Sequence, residues 1–484
     1  MLCGANYSCH PFDYPHSTLY VKWFRGGAAD LGRHSEYFWQ VGQAGPMVNG
    51  YIAEHFRCGL RDNPRGVIRP YTMPHAPGNT EADFLRSAFT HLAHGATLLD
   101  FFGVGMNETF TENYIDHRDH ARYRALRDVT HAVGLVEDLL PLSRPVPSPV
   151  ALLVSASTER WDLAGIATDP AGQAPFGKDF RKARLHFHLD RLGIWTALTF
   201  LGVSPDLVVE EDVSAKGLKG YKVLVVVGDC LPPDLAPALE EWVRGGGVLL
   251  ATANAGRYDA YRGENDKLPA LLGLKDRRTE EQVTFLRPRQ ELPFLKPLGT
   301  VKGEGWQMPQ LATRERITPA DGAEVLASFP DASPAVLVRP LGKGRVYYVA
   351  ALPGVAYLWS ALQPPRVPDR GPGVHSIPTR FDKGALELLR LPLRAAKVEP
   401  TVIAEPSLID LRLLKAAQGY VLPLANYHDE VGQEVRLTLR TESPVGKVTS
   451  AYHGTLPVKR VKGQTVVTIP ALGYGDVLRL DLAK

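Results

Sequence analysis

The sequence contains little cysteine. Four of its 484 residues are cysteines, and no two of them form a C-x-x-C pair. This argues against a disulfide framework and against a structural zinc site, because both need several cysteines at close, regular spacing. A thiol content this low fits a reducing compartment, so we expect a cytoplasmic protein. The four residues are Cys3, Cys9, Cys58 and Cys230.

The sequence also lacks an excess of charge of either sign. It has 55 Lys and Arg against 52 Asp and Glu, which gives a net charge of +3. Because these charges are dispersed, the pattern does not indicate nucleic acid or a membrane surface as a partner. No apolar run approaches the roughly 18 residues that a membrane-spanning helix requires. Residues 1–16 lack the charged and apolar segments of a signal peptide.

Motifs for cofactors and metals are missing as well. The three glycines at 245–247 follow a predicted helix instead of preceding one, so their amides cannot cradle a phosphate. Asp116, His117 and His120 lie close together in the sequence, but their spacing matches no standard metal site. We therefore expect neither a cofactor nor a metal ion.

Residues 1–145 are predicted to alternate between strands and helices. The apolar run 65–74 ends in proline, and apolar residues at helical spacing follow at 81–95, where a glycine provides a stop signal. A second buried strand is predicted at 96–105, and an amphipathic helix at 120–142. Strands and helices that alternate with short connections indicate a parallel sheet.

A proline-rich linker at 144–149 leads into a second region, where strands rich in Val and Leu alternate with helices in a doubly wound α/β pattern. The stretch 257–320 is polar and lacks periodicity, so we predict irregular structure there. The Gly-Lys-Gly sequence at 342–344 lies between two β-rich runs and predicts a hairpin turn. Strands are predicted at 150–155, 206–211, 221–229 and 247–253, and helices at 179–202, 232–247 and 381–391.

From about residue 398 the pattern changes again. Apolar and polar residues alternate with period two, and turn residues separate the alternating runs. This pattern predicts a small antiparallel β sandwich.

Several motifs resemble those of the β-galactosidases of glycoside hydrolase family 42. Residues 93–96, Ala-His-Gly-Ala, resemble a turn that this family has at the last helix of its barrel. Glu108 and Phe110, followed by the pair Asp116-His117, resemble a second motif at the family's spacing.

This resemblance implies the architecture of the chain. It implies an α/β protein with a partial (β/α)₈ barrel, then a flavodoxin-like domain similar to class I glutamine amidotransferases, then a small antiparallel β sandwich. The second domain is a trimerisation domain in that family, and a partial barrel leaves unpaired strand edges. We therefore expect a homo-oligomer, a trimer or a dimer. The expected boundaries are 1–145, 149–395 and 398–484.

The resemblance also implies two catalytic carboxylates, and the expected positions lack them. Retaining glycosidases use two carboxylates about 5–5.5 Å apart. A complete barrel takes about 250 residues, but the linker here begins at residue 144. We therefore expect strands five to eight of a barrel, without the strand that carries the general acid/base. Pro70 or Tyr71 occupies the position of the family's nucleophilic glutamate.

Other acidic residues follow the predicted strand ends, where barrel enzymes bind their substrates. Glu36 and Asp100 are the candidate catalytic residues, but Glu36 equally fits an acid in the first turn of a helix, and Asp100 equally fits the lining of a barrel mouth. Glu108 also fits a solvated or structural acid. His75 also fits a loop histidine that has no function. The expected substrate-binding residues are Tyr37, Trp39, Tyr71, His75 and Glu108.

Two functions remain open at this point. The first is a β-galactosidase-like glycoside hydrolase, or a fragment of one, that acts on or binds carbohydrate such as a galactoside. The second is a non-catalytic carbohydrate-binding or oligomerisation protein derived from that scaffold. Amidotransferase chemistry is not expected, because the turn at 253–256 holds no nucleophile and Cys230 follows a different strand.

Overall fold

The protein has an α/β fold, as the sequence predicts. The computed structural model describes residues 4–6, 17–33, 46–72, 80–101, 120–167, 185–213, 217–283, 286, 291–365 and 378–483. Within these ranges, every helix is too short or too polar to cross a bilayer.

Strands and helices alternate in the N-terminal region, as predicted. Strands β1, β2 and β3 are parallel neighbours, Ile68 at the end of β3 forms a parallel bridge with Ala96, and β4 pairs in parallel with β5. The chain therefore forms four neighbouring parallel strand segments with helices between them. The elements are β1 Gly4–Asn6, α1 Ser17–Arg25, β2 Leu31–Arg33, α2 Met47–Leu60, β3 Val67–Ile68, β4 Tyr71–Thr72, α3 Glu81–Ala93, β5 Asp100–Phe101 and α4 His120–Gly134.

Local signals set the ends of α3. The Thr80 hydroxyl accepts a hydrogen bond from the Asp83 amide, and the Asp83 carboxylate accepts one from the Thr80 amide, which completes a capping box. The helix ends at Ala93, and Gly95 then adopts a φ of +93°, a conformation that glycine enters without strain. The glycine stop signal at position 95 is confirmed.

The predicted helix over 120–142 is too long. Helix α4 ends at Gly134, and a separate 3-10 helix covers Leu140–Leu142. Glycine favours a helix end, and Pro141 cannot donate the amide hydrogen bond that an α-helix would require there. The amphipathic pattern extends through both elements, so it does not indicate where the first helix ends.

The second region contains a nine-stranded sheet in the order β13-β12-β15-β16-β17-β10-β9-β7-β8. Its five strands β8-β7-β9-β10-β17 are parallel and follow the order 2-1-3-4-5 of one common type of doubly wound sheet. The elements are β6 Arg144–Pro145, β7 Val150–Val154, α5 Ala156–Ala167, α6 His186–Phe200, β8 Asp206–Val209, β9 Val223–Val226, α7 Leu235–Arg244, β10 Val248–Ala251, α8 Leu268–Leu271, β11 Leu274–Gln282, β12 Gly299–Gly303, β13 Trp306–Gln310, β14 Thr313–Pro319, β15 Glu324–Ser328, β16 Pro334–Leu341, β17 Gly344–Val349, α9 Pro353–Ala361 and α10 Lys383–Ala395.

The central strands are buried on both faces, which explains their continuous runs of Val and Leu. Helices α6 and α9 approach each other through two glycines. A Cβ on Gly193 would lie 2.0 Å from the carbonyl oxygen of Gly354. The predicted hairpin is confirmed, since β16 and β17 pair in antiparallel fashion around Gly342, which has a φ of +63°.

The prediction of irregular structure over 257–320 is wrong for most of that stretch. Strands β12 and β13 extend the large sheet, and β11 forms a separate ribbon with β14. The ribbon sequence is rich in charge, and Glu280 of β11 lies 2.5 Å from Arg316 and 3.1 Å from Arg314 of β14. Cross-strand ion pairs replace the apolar alternation from which strands are predicted.

The C-terminal region forms two antiparallel sheets, as its period-two pattern predicts. One has the order β18-β22-β26-β25, and the other has the order β24-β23-β27-β21-β20-β6, with β19 also paired to β21. The linker strand β6 therefore belongs to the C-terminal sheet. The strands are β18 Val402–Glu405, β19 Ile409–Leu411, β20 Leu414–Ala416, β21 Gly419–Asn426, β22 Gln433–Leu439, β23 Val445–Ser450, β24 Gly454–Leu456, β25 Val458–Val461, β26 Gln464–Leu472 and β27 Gly475–Leu482.

Candidate functional site

A group of polar side chains lies at the carboxyl ends of the N-terminal parallel strands. Tyr71 and Asp100 are direct partners in the register of β4 and β5, and Arg33 is the last residue of β2. Arg69, between β3 and β4, completes the group. In barrels of alternating strands and helices, this end of the strands carries the active site. We call these four residues the strand-end cluster.

Two guanidinium groups hold the carboxylate of the strand-end cluster. Arg69 Nη2 donates to Asp100 Oδ1 at 2.7 Å, and Arg33 Nη2 lies 3.5 Å from Asp100 Oδ2. The Arg33 guanidinium also lies 3.5 Å from the centre of the Tyr71 ring, a cation–π contact. Burial lowers the pKa of Arg33, and Asp100 offsets part of that effect. The carboxylate of Asp100 is therefore held between two positive charges.

The strand-end cluster retains hydrogen-bonding capacity. Within the described ranges, three of its buried atoms have no hydrogen-bond partner: Arg33 Nε, Arg69 Nε and Asp100 Oδ2. Two donors and an acceptor at close range suit a ligand that both donates and accepts, as a sugar hydroxyl does. A carboxylate that is paired with two arginines is a weak nucleophile.

The structure brings together only part of the set of predicted site residues. Tyr71 and Asp100 are adjacent, and sequence reasoning missed the two arginines beside them. Arg69 lies within the apolar run 65–74 that predicts a strand, and this position was the available signal, whereas no predicted element pointed to Arg33. Asp116 and His117 lie outside the described ranges, whereas His120 lies within them. No group of three potential metal ligands occurs in the described part of the chain. The predicted residues Glu36, Tyr37, Trp39, His75 and Glu108 lie outside the described residues.

The doubly wound sheet has its own potential ligand crevice, at the carboxyl ends of β7 and β9, where the strand order reverses. The protein's own side chains fill it. Ser155 Oγ donates to Glu210 Oε1 at 2.7 Å, and Thr158 Oγ1 donates to the Cys230 carbonyl oxygen at 2.9 Å. The Cys230 side chain is buried, and burial and Asp229 raise the pKa of its thiol. A thiol in this environment is a poor nucleophile.

A buried ionic network joins the N-terminal, α/β and C-terminal regions. His94 Nδ1 lies 2.8 Å from Glu54 Oε1 of α2, and His94 Nε2 lies 2.9 Å from Asp410 Oδ1 of β19. Arg412 donates to Glu54 Oε1 at 2.7 Å and also binds Asp206 of β8. Arg57 of α2 also bridges the same two acids. We call these six residues the junction network.

The charges of the junction network depend on one another. Burial alone would lower the pKa of His94, but Asp410 and Glu54 raise it to about 9. Burial alone would raise the pKa of Glu54, but Arg412, Arg57 and His94 hold it well below its usual range. His94 belongs to the Ala-His-Gly-Ala turn on which the sequence resemblance rests, and the structure shows that it connects the regions of the protein.

Comparison with known proteins agrees with this architecture. Residues 191–363 match the model of the β-galactosidase trimerisation domain. The β-galactosidase BglY of Alicyclobacillus acidocaldarius is 28% identical over 275 residues, which cover 54% of this chain and 37% of that protein. Over residues 191–363 the chain is therefore similar to the trimerisation domain of β-galactosidases, and it spans 37% of the length of that curated relative.

Solved structures extend the likeness of fold beyond the matched domain. The cold-adapted β-galactosidase of Rahnella sp. R3 superposes with a TM-score of 0.62 at 19% identity, over 95% of this chain and 61% of that one. An α-L-fucosidase isoenzyme 2 of Paenibacillus thiaminolyticus gives 0.57 at 16% identity, over 99% and 67%. The match thus spans about three fifths of the length of the β-galactosidase structure. Since one fold covers two sugar specificities, the fold alone does not define the substrate.

Proposed function

We propose that the chain forms the sugar-binding and assembly part of a β-galactosidase-like glycoside hydrolase. In this proposal, residues 1–145 are the C-terminal half of a (β/α)₈ barrel, residues 149–395 are a flavodoxin-like domain of the amidotransferase-like trimerisation type, and residues 398–484 are a β sandwich. The parallel strands, the 2-1-3-4-5 strand order and the two antiparallel sheets support these assignments.

The observation that carries the proposal is the strand-end cluster. Arg33, Tyr71 and Asp100 lie at the strand ends where a barrel enzyme binds its substrate. We propose that Asp100 accepts hydrogen bonds from sugar hydroxyls and that the arginines fix its orientation. Because Arg33 covers the Tyr71 ring, Tyr71 contributes its edge or hydroxyl instead of a free stacking face.

The remaining predicted residues follow the same strand ends in the sequence. Glu36 comes three residues after the end of β2, His75 comes three after β4, and Glu108 comes seven after β5. We propose that Glu36 and Glu108 supply further carboxylates to the same sugar site, and that Tyr37 and Trp39 contact the sugar ring.

We also propose that the 484 residues alone bind galactosides without hydrolysing them appreciably. Hydrolysis needs two carboxylates in separate roles. Asp100 is already neutralised by Arg69 and Arg33, and Pro70-Tyr71 replaces the family's nucleophilic glutamate.

In the alternative, the chain is a non-catalytic carbohydrate-binding or oligomerisation protein. The presence of Pro70 where the family has its nucleophile favours this alternative.

The binding test is calorimetric titration with isopropyl thio-β-galactoside, a galactoside that resists hydrolysis. We expect Asp100→Asn to weaken binding about tenfold or more, as for the loss of a hydrogen bond to a charged group. Asp321→Asn, in an exposed turn of the α/β region, is the control and should bind like the parent chain. Binding unaffected by Asp100→Asn, with the fold intact by circular dichroism, would place the sugar elsewhere.

The catalytic test is turnover of a chromogenic aryl β-galactoside by the same proteins. We expect no appreciable turnover. Robust turnover that Glu36→Gln or Glu108→Gln abolishes would contradict this and would identify the substituted residue as a catalytic carboxylate.

A further inference from the structure

A cavity lies at the opposite end of the N-terminal strands from the strand-end cluster. Gly66 and Thr97, which precede the strand segments, are part of its wall, and its volume is about 400 Å³. Helix α2, the linker at β6 and the α/β region all contribute residues. We call it the junction cavity, and its polar lining includes Arg57, Arg61, Arg144, Asp206 and Tyr221.

The charged groups of the junction cavity are unbalanced. Three arginines face a single carboxylate, that of Asp206. This carboxylate is already occupied, because it binds Arg57 at 2.7 Å, accepts from Tyr221 Oη at 3.3 Å, and pairs with Arg412 of the junction network. It therefore cannot also compensate Arg144, and Arg61 pairs instead with Asp212, outside the cavity lining.

Arg144 and Arg61 both retain donors. Arg144 has no carboxylate partner within the described part of the chain, and its Nη1 donates to the carbonyl oxygen of Ser143 at 2.8 Å. Arg61 Nη2 donates to the carbonyl oxygen of Leu207 at 2.7 Å, and its Nη1 lies 3.7 Å from Asp212 Oδ2, beyond hydrogen-bond distance. The backbone contacts hold both guanidinium groups in place while leaving other N–H groups available.

Part of the cavity lining is apolar. Leu60, Ile68, Pro145 and Pro147 form it, next to the hydroxyl-bearing residue Thr97. A cavity of this volume lies within the usual size range of small-molecule sites. A planar guanidinium group can donate two parallel hydrogen bonds to two oxygens of a phosphate group. The combination suits a small organic molecule that has a phosphate at one end and a ring with hydroxyls at the other.

We propose that the junction cavity binds a sugar phosphate, with its phosphate on Arg61 and Arg144 and its ring against Leu60 and the two prolines. Such a ligand would contact α2, the linker and the α/β region together. It would therefore stabilise their present arrangement through the free energy of binding. This site is separate from the strand-end cluster and does not depend on the proposed glycosidase function.

The test is calorimetric titration of the full chain at constant ionic strength with galactose 6-phosphate, inorganic phosphate and chloride. We expect galactose 6-phosphate to bind more tightly than inorganic phosphate, and chloride not to compete at equal ionic strength. Arg144→Gln and Arg61→Gln should each weaken binding of the ester about tenfold or more. Arg127→Gln, an exposed arginine of α4, is the matched control and should have no effect.

Three outcomes would overturn the proposal. Binding that survives in Arg144→Gln and Arg61→Gln, or no binding to the parent chain, would exclude the site. Equal affinity for the ester and for inorganic phosphate would exclude the sugar part and leave an anion site. Asp100→Asn should leave binding of the phosphate group unchanged, so failure here and failure of the proposed galactoside site are distinguishable.

Discussion

At the scale of single residues, His94 has a closely defined environment. It is fully buried between the carboxylates of Glu54 and Asp410. Sequence reasoning selected His94 as part of a short motif and could not assign it a contact, because Asp410 lies 316 positions away. Likewise, Tyr71 and Asp100 could be predicted as neighbours at strand ends, but the Arg33 and Arg69 contacts depend on side-chain geometry that no local pattern encodes.

The raised pKa of His94 predicts a pH-dependent stability. The folded-state pKa of about 9 exceeds the unfolded value of about 6.5, so the contribution is complete below pH 6.5 and is lost as pH rises through 9. We expect a loss of about 3 kcal/mol over that interval. Urea unfolding between pH 6.5 and 9 measures it, and the decline should be smaller in His94→Gln. Parallel declines in the two proteins would contradict this assignment.

Glu54 should be the most sensitive acid of the junction network. Glu54→Gln would leave Arg412 and His94 short of a counter-charge in a buried site, and breaking a buried ion pair in this way costs about 3–5 kcal/mol. The control is Glu240→Gln, which breaks an exposed pair with Arg244 and should cost less than about 1 kcal/mol. Chemical denaturation of both variants gives the comparison, and equal losses would show that the network contributes little.

At the scale of elements, the sequence predicts best where burial leaves a regular or continuous apolar pattern. The Val- and Leu-rich strands β7, β9 and β10 are evident because both of their faces are apolar. The ribbon of β11 and β14 is missed because its stability comes from pairing and from cross-strand ion pairs, which leave no periodic apolar signal.

The contact between α6 and α9 predicts which glycine is indispensable. A Cβ on Gly354 would lie 1.9 Å from the carbonyl oxygen of Asp190, and neither backbone can yield without separating the helices. We expect Gly354→Ala to destabilise the protein by about 3 kcal/mol. Gly134→Ala, at the end of α4 where a Cβ meets nothing within 4 Å, should be neutral or stabilising. Similar thermal midpoints for the two variants would contradict the packing argument.

At the scale of the whole molecule, three regions share one buried set of charges. Helix α2 provides Glu54, strand β8 provides Asp206, and the C-terminal sheet provides Asp410. Helix α3 also packs on that sheet, where Arg86 Nε donates to the carbonyl oxygen of Asn426 at 2.6 Å. These contacts join regions that the sequence pattern presents as three separate units, and the pattern gave no sign of the connection.

The match of residues 191–363 to a trimerisation domain leads us to predict a homo-oligomer, a trimer or a dimer. The exposed strand edges expected of a half barrel favour the same outcome, because association covers them. Light scattering coupled to size-exclusion chromatography should return a mass two or three times that of the 53.1 kDa chain. A stable monomer at micromolar concentration would refute the prediction.

The pairing of β6 with β20 has a consequence for the order of events during translation. The ribosome makes Arg144 and Pro145 before it makes their sheet partners Lys415 and Leu414. At 5–20 residues per second, the intervening chain takes roughly 15–50 s to synthesise. Throughout that delay, Glu54 and His94 lack the C-terminal residues Asp410 and Arg412 that complete their network in the folded protein.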